Sequence, residues 1–286
     1  MTNANVSVAR RAVKAAYSVR VRHGYPLDRP CDVYELIAKQ DLALQFIDVP
    51  SLEGMYLADS EVTRICVCAR RPSGRQRLTA AHELGHRVLG HGTQLDAALE
   101  LRDAGTESSV EEFSADTFAH YLLMPLSAVQ TGFRLRGYDP AKPTAEQVYI
   151  VSGWLGVGFT TLLHHMRLSL GIIGFSEHRQ LVDTDLKNLR ADLVGQKTSS
   201  DVWILDEHWN GKDVHVQSGD YLTGLNSRGI EGFLKIVHCL PGRTVFSACR
   251  VGECCAKLDT CGTVKLGVSR KQFIGFYEYR YLEECD

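Results

Sequence analysis

The chain has 286 residues, of which 44% are hydrophobic and 23% are charged, and its formal net charge at pH 7 is -2. Such a composition is typical of a globular protein, and the length is sufficient for two compact domains. With so small a net charge, the chain has no general electrostatic attraction to nucleic acid or to an anionic membrane. No apolar run approaches the roughly 18 residues needed to span a bilayer.

The first predicted element is an amphipathic helix over residues 7–24, which Gly24 and Pro26 end. We expect it at the surface, with a cationic face formed by Arg10, Arg11, Lys14, Arg20 and Arg22. Because this stretch lacks the apolar segment of a secretory signal, the chain is predicted to stay in the cytoplasm. Its nine cysteines are accordingly expected to be thiols or metal ligands rather than disulfides.

A second helix and a small sheet are predicted next. The helix in "DRPCDVYELIAKQDLAL" begins after Asp28 or Asp32, since aspartate is a favourable capping residue. Three short runs rich in β-formers follow and are separated by turn residues, which predicts a small sheet. These runs are "LALQFIDV", "GMYLAD" and "TRICVCAR".

The stretch "RLTAAHELGHRVLGHG", residues 77–92, has helical periodicity and contains an HExxH motif. His82 and His86 are four residues apart, so on a helix both imidazoles face one side and can bind one zinc ion. Glu83 lies about 100° around the helix from His82, where its carboxylate can act as general base on a water. Such a motif also arises by chance on a surface helix, so a third ligand decides between the two interpretations.

The third ligand is expected in the next predicted helix, "SSVEEFSADTFAHYLLMP". Glu112 and Asp116 are spaced i, i+4, and a cation would relieve the repulsion between their carboxylates. Glu112 would ligate zinc, with Glu111 as the alternative, and Asp116 would accept the outer N–H of a ligand histidine. Glu112 could instead close a capping box with Ser109. We favour the box one register earlier, Ser108 with Glu111, because it leaves Glu112 available.

The segments "RLTAAHELGHRVLGH" and "EEFSADTFAHYLLMP" together resemble the ImmA/IrrE family of metallopeptidases. Members carry an AHELGH helix and, later, a glutamate three residues before Ala-Asn in a segment that ends in Leu-Met-Pro. The resemblance covers about residues 8–170 and implies His82, His86 and Glu112 as zinc ligands and Glu83 as catalytic base. This chain has Asp116 where the family has asparagine, and either side chain can accept a hydrogen bond from a histidine.

The residue that would stabilise the oxyanion is not determined by spacing. Side chains with suitable chemistry are Tyr56, His91, His120, Tyr121, His164 and His165. His91 lies nine residues after His82, about half a turn around a continued helix, and is predicted to be structural.

A helix–turn–helix hairpin is predicted at about residues 144–168, in "AEQVYIVSGWLGVGFTTLLHHMRLSL". Hairpins of this kind can place their second helix in the major groove of DNA. Here the second helix is mostly apolar and offers only Arg167 as a strong base-reading side chain. We therefore predict a packing hairpin, and direct nucleic-acid binding is not expected.

The C-terminal part, residues 171–286, alternates β-formers with turn residues and is predicted to be a β-rich domain of regulatory or sensor-like character. It contains a cluster formed by Cys249, Cys254, Cys255 and Cys261. The spacing of these cysteines departs from the paired C-x2-C pattern of structural zinc sites. A second metal site, redox-responsive thiols and incidental cysteines are the open interpretations.

The predicted fold is therefore α+β. A zincin-like helical metallopeptidase domain with a small sheet, residues 1–170, precedes the β-rich domain. The family resemblance implies a zinc endopeptidase with one catalytic Zn²⁺ that cleaves a helix-turn-helix repressor or a similar regulatory partner to control stress-response or mobile-element genes. From the composition, no membrane partner is expected. The alternative is a non-proteolytic regulator, toxin–antitoxin-like or DNA-binding, that binds a partner and holds a structural zinc.

Overall fold

The computed structural model describes residues 3–58, 63–92, 94–97, 109–226, 230 and 232–283, with the backbone alone at residues 3, 4 and 94–97. The chain forms two compact units. Unit 1 comprises Met1–Pro143, Gln147–His178 and Ile274–Tyr277, and unit 2 comprises Thr144–Glu146, Arg179–Phe273 and Glu278–Asp286. No helix in the described part of the chain is both long and apolar enough to cross a membrane.

The helices and strands are numbered in chain order. The helices are α1 (Asn3–Arg22), α2 (Val33–Ala38), α3 (Ser73–Leu89), α4 (Val110–Leu123), α5 (Leu126–Arg134), α6 (Ala145–Leu155), α7 (Phe159–His164), α8 (Phe175–Val182) and α9 (Leu186–Val194). The strands are β1 (Ala43–Ile47), β2 (Leu52–Leu57), β3 (Arg64–Cys68), β4 (Gln94–Ala97), β5 (Val202–Ile204), β6 (Asp213–Gln217), β7 (Tyr221–Thr223), β8 (Leu234–Leu240), β9 (Arg243–Ala248), β10 (Gly252–Lys257), β11 (Thr263–Ser269) and β12 (Gly275–Phe276).

Unit 1 contains a five-stranded sheet in the order β12-β1-β3-β2-β4. Strands β1 and β3 are parallel, and the other three pairs are antiparallel. Helix α3 packs against β2 and β3 on one side and against α4 on the other. The predicted small sheet in a helical N-terminal part is therefore confirmed. This layering buries the middle of α3, where the HExxH motif lies.

Helix α1 is present, but the predicted position of Arg20 on an exposed cationic face is wrong. The Arg20 side chain is fully buried, and its guanidinium donates hydrogen bonds to the carbonyls of Leu122, Pro26 and Arg29. A buried cation is tolerated where several acceptors surround it. Arg20 thereby links α1 to the C-terminal end of α4, the helix that carries Glu112.

Helix α2 begins after Asp32, one of the two predicted caps. The Asp32 carboxylate accepts hydrogen bonds from the backbone N–H groups of Tyr34 and Glu35, the interaction that stabilises a helix N-terminus.

The predicted hairpin consists of α6, a turn, and α7 with a π-helical turn at His165–Ser169. The second helix buries its apolar side chains Phe159, Leu162 and Leu163. The turn also lies close to the start of α3, because a Cβ added at Gly74 would stand 2.6 Å from the backbone nitrogen of Gly158. The buried apolar face is that of a helix that packs within its own domain.

Unit 2 contains a three-stranded sheet, β10-β11-β6, and a four-stranded sheet, β5-β7-β9-β8. The β-rich prediction for the C-terminal part is thus confirmed. Residues 171–200 differ from this prediction, because they contain helices where strands were expected. The run "GIIGFSE" leads into α8, and α9 follows. Asp185 caps α9 through the N–H groups of Lys187 and Asn188, and Gly195 ends it in the left-handed conformation at φ 76°. An aspartate N-cap and a left-handed glycine are ordinary signals for the start and end of a helix. The preceding β-formers indicated a strand, so these signals did not enter the prediction.

Candidate metal centre

Helix α3 presents two buried histidines to one point. The relative exposures of His82 and His86 are 5% and 0%, and their Nε2 atoms lie 2.9 Å apart. This follows from the four-residue spacing, which stacks the two side chains one turn apart on the same face. Two imidazole nitrogens directed at a common point are suitable ligands for one metal ion.

Helix α4 supplies a third donor. One oxygen of Glu112, Oε2, lies 3.5 Å from His82 Nε2, and the other, Oε1, lies 3.4 Å from His86 Nε2. One ligand atom from each of these three residues lies within 4.8 Å of the other two. Two imidazole nitrogens and one carboxylate form a donor set typical of catalytic zinc, so these residues fit that ion.

The close approach of α3 and α4 depends on Gly85. A Cβ at this position would stand 3.1 Å from Phe118 Cδ1 and 3.2 Å from the Cα of Ala115. The absence of a side chain lets the two helices pack closely one residue before His86. Gly85 thus helps to bring the helix of Glu112 to the histidines.

The predicted capping register at the start of α4 is wrong. Ser109 is the N-cap, and its Oγ accepts a hydrogen bond from the backbone N–H of Glu112 at 3.1 Å. Ser108 lies outside the described residues. The cap needs only the backbone of Glu112, so its carboxylate faces the histidines even in the register that we did not favour. Glu111, the alternative ligand, is exposed.

Asp116 contacts the far side of His82, as its spacing from Glu112 suggested. Its Oδ1 accepts a hydrogen bond from His82 Nδ1 at 2.8 Å. Burial acts to raise the pKa of the Asp116 carboxyl, but the hydrogen bond from His82 and the charges of His82 and His120 outweigh it, so the pKa lies below its usual value. An ionised Asp116 keeps the proton of His82 on Nδ1, which leaves Nε2 available for a metal.

Glu83 is fully buried at the interface between α3 and strand β2. A Cβ added at Gly54, in β2, would lie 2.7 Å from Glu83 Oε1 and closer still to Thr79 Cγ2. The space for the Glu83 carboxylate therefore exists because residue 54 is a glycine. Sequence reasoning did not identify this contact, which joins residues 29 positions apart.

We expect Gly54→Ala to disturb Glu83 and to lower stability. The added methyl group must displace the Glu83 carboxylate or the Thr79 methyl group, and such overpacking typically costs about 1–3 kcal/mol. Chemical unfolding should show this loss, and peptide cleavage should fall while zinc stays bound. Gly92→Ala is the matched control, because nothing lies within 4 Å of an added Cβ there. Equal stability and activity of the two variants would contradict the close packing at Gly54.

The structure places the other candidate side chains in different settings. His165 is buried and donates its Nε2–H to the Met124 carbonyl at 2.9 Å. Burial, together with the nearby His120, lowers the pKa of His165 to about 3, so its ring is neutral near pH 7 and offers no positive charge to an oxyanion. His164 contacts His178, with Nδ1 and Nε2 2.9 Å apart.

Three more of the side chains considered for the oxyanion are Tyr56, Tyr121 and His120. Tyr56 is buried in β2, Tyr121 lies edge-on to the ring of His165, and His120 bonds through Nδ1 to the Asp116 carbonyl at 2.7 Å.

The lowered pKa of His165 predicts a pH dependence of stability. Below about pH 6.5 the imidazole of the unfolded chain binds a proton, whereas the folded one does so only near pH 3, so the free energy of unfolding falls as the pH drops through this window. The loss from this residue alone reaches about 2 kcal/mol by pH 5. Urea unfolding of the wild type and of His165→Gln at pH 7 and pH 5 measures it, and the variant should lose less stability. Identical losses in the two proteins would contradict the prediction.

The described cysteines of the C-terminal part are not brought together as metal ligands. Within the described ranges, His82, His86 and Glu112 form the only group of three or more His, Cys, Asp or Glu side chains with converging donor atoms. Cys254 and Cys255 are neighbours on β10, where successive side chains point to opposite faces. Burial, and the adjacent Cys255, raise the pKa of the Cys254 thiol, which makes it less reactive. Cys249 donates to the Phe233 carbonyl at 3.2 Å; the redox role of these thiols stays a prediction.

The geometry defines a class of site, the zincin-type metal centre, in which an HExxH helix and a glutamate from a later helix share one ion. Residues 39–153 match the family model described as IrrE N-terminal-like domain, Peptidase_M78. The resemblance inferred from the sequence motifs is thereby confirmed. No curated protein matches the chain significantly.

Proposed function

We propose that the protein is a zinc-dependent endopeptidase whose active centre is formed by His82, His86, Glu112 and Glu83. The observation that carries this proposal is the convergence of two buried imidazoles from α3 and one carboxylate from α4 within 4.8 Å. Helix α3 also carries the buried Glu83. The family match supports a peptidase rather than another hydrolase.

Each residue has a part in peptide-bond hydrolysis. Zinc, when bound, polarises the substrate carbonyl and lowers the pKa of water. Glu83 takes the proton of the attacking water and delivers it to the leaving amine nitrogen. Asp116 Oδ1 lies 2.8 Å from His82 Nδ1. This hydrogen bond keeps the proton of His82 on Nδ1, so that Nε2 is directed toward the centre. The room beside Gly54 lets the Glu83 carboxylate occupy this position.

The number of ligands favours catalysis over the alternative, a structural zinc in a non-proteolytic regulator. Structural zinc sites are closed by four protein ligands, whereas catalytic sites use three and keep one position open. In the part of the chain that the structure describes, three side chains converge. A buried carboxylate next to the first ligand is a further feature that a structural site does not need.

We further propose that the substrate is a helix-turn-helix repressor or a similar regulatory protein, cleaved in the cytoplasm to control stress-response or mobile-element genes. The family resemblance supports this substrate class. Among the described residues, strand β4 pairs with β2 and forms an edge of the sheet, and such an edge can pair with an extended peptide. Free thiols at the eight described cysteines suit a reducing compartment. Unit 2 would then have a regulatory role.

Mapping of new protein N-termini tests the function. Zinc-loaded protein is added to an extract of the source cells, and N-terminal peptides are quantified by mass spectrometry. We expect new N-termini in a DNA-binding regulator, and none after chelation of zinc. The absence of any zinc-dependent new N-terminus would contradict the peptidase proposal, whereas cleavage of proteins unrelated to regulation would contradict the proposed substrate class alone.

A further inference from the structure

His91 lies just beyond the end of α3, where the chain reverses direction. Gly90 adopts the left-handed conformation at φ 79°, and the backbone N–H of His91 donates to the His86 carbonyl at 2.9 Å. This bond, which spans five residues, is the signature of the Schellman motif. The motif returns the residue after the glycine to the last turn of the helix, so His91 lies against His86. On a continued helix, as predicted, it would lie about half a turn from His82.

The two imidazole rings meet through their Nδ1 atoms. These atoms are 2.9 Å apart, and the ring centroids are 5.0 Å apart. The second nitrogen of His91, Nε2, lies 3.4 Å from Ser114 Oγ, a long hydrogen bond. Ser114 in turn donates its hydroxyl proton to the Glu111 carbonyl at 2.9 Å. The four groups form one chain of contacts from α3 to α4.

The protons in this chain have only one consistent order when Nε2 of His86 faces a metal. The neutral His86 ring then carries its proton on Nδ1 and donates it, so Nδ1 of His91 must accept. The proton of a neutral His91 ring is consequently on Nε2, which donates to Ser114. Because the Ser114 hydroxyl proton is directed to a backbone carbonyl, its oxygen is free to accept from His91.

We propose that His91 is a positioning residue that holds His86 in the tautomer and orientation needed for metal binding. The proposal rests on the zinc centre proposed above and assigns to His86 an outer partner unlike that of His82. His82 is held by a carboxylate, Asp116, whereas His86 is held by a neutral imidazole that Ser114 anchors to α4. Since α4 also carries Glu112, the same chain couples the spacing of the two helices to the orientation of a ligand.

Zinc affinity and a cobalt spectrum of three purified full-length variants test this role without any substrate. His91→Phe keeps a ring against His86 but cannot accept its proton, and we expect a loss of zinc affinity of roughly 10–100-fold, as is usual for outer partners of metal ligands. The visible absorption of the Co²⁺-loaded variant should also shift, because the ligand geometry changes. His91→Asn offers a side-chain oxygen near the position of Nδ1 and should recover most of the affinity.

An unchanged zinc affinity and an unchanged Co²⁺ spectrum in His91→Phe would overturn the proposal, and so would an equal loss in His91→Phe and His91→Asn. If the phenylalanine variant does not fold, Ser114→Ala replaces it, since this change removes only the anchor of His91. Wild-type zinc affinity in a folded Ser114→Ala variant would then refute the proposal. A wild-type protein that binds no zinc would refute the metal centre itself, which separates that failure from a failure of His91 alone.

Discussion

Replacement of Glu83 by glutamine is expected to lower the rate of peptide cleavage by roughly 10²–10⁴-fold, the usual contribution of a general acid–base group. Glutamine has the shape of glutamate but cannot take the proton of the attacking water. Because the Glu83 side chain is fully buried beside Gly54, the isosteric change preserves the packing. Zinc should remain bound at the wild-type level, since Glu83 is not one of the three side chains that converge as candidate ligands.

Glu111→Gln is the matched control for this experiment. It removes the same charge from an exposed carboxylate on α4, next to Glu112 in sequence. We expect wild-type cleavage and zinc content in this variant. Cleavage by Glu83→Gln at the rate of the control would exclude Glu83 as the base, even if the metal is present.

Replacement of Glu112 by alanine is expected to abolish zinc retention. The change leaves two histidines and an open side of the centre, and the loss of affinity should exceed the 10–100-fold that removal of an outer partner costs. Zinc at a hundred times its Kd stabilises the wild-type protein by about 2.7 kcal/mol. For a unit of this size the gain corresponds to roughly 5–10 °C in Tm. The variant should show neither the bound metal nor the thermal shift.

Asp116→Asn serves as the comparison for Glu112→Ala, because it alters the hydrogen-bond partner of His82 and removes no proposed ligand. Asparagine can still accept the hydrogen bond of His82 Nδ1, so zinc affinity should fall far less than in Glu112→Ala. Thermal unfolding with and without added zinc, together with metal analysis, measures both variants. A normal thermal shift in Glu112→Ala would show that the zinc binds elsewhere.

The parts of the site that sequence reasoning predicted are those that local periodicity determines. The i, i+4 spacing of His82 and His86, and that of Glu112 and Asp116, places each pair on one helix face. A single shared ion then explains why both pairs are present. The structure brings His82, His86 and Glu112 together. The alternation of β-formers in the C-terminal part likewise indicated its sheets.

The features that sequence reasoning missed depend on contacts between distant residues or on one backbone turn. The position of His91 follows from the left-handed conformation of Gly90, which turns the chain back against the last turn of α3. Residues 275–276, far along the chain, form β12 and pair with β1 at the edge of the first sheet. Neither the burial of Arg20 nor the room that Gly54 leaves for Glu83 has a local signal, since each needs a partner from another element.

The central claim, that one zinc at His82, His86 and Glu112 hydrolyses peptide bonds, is tested most directly by titration of metal-free protein with zinc. Cleavage of the protein that gains a new N-terminus is measured at each zinc content. The predicted result is a rate that rises in proportion to bound zinc and reaches its maximum at one ion per chain. Cleavage that is independent of zinc, or full occupancy of the site without any cleavage, would contradict the account.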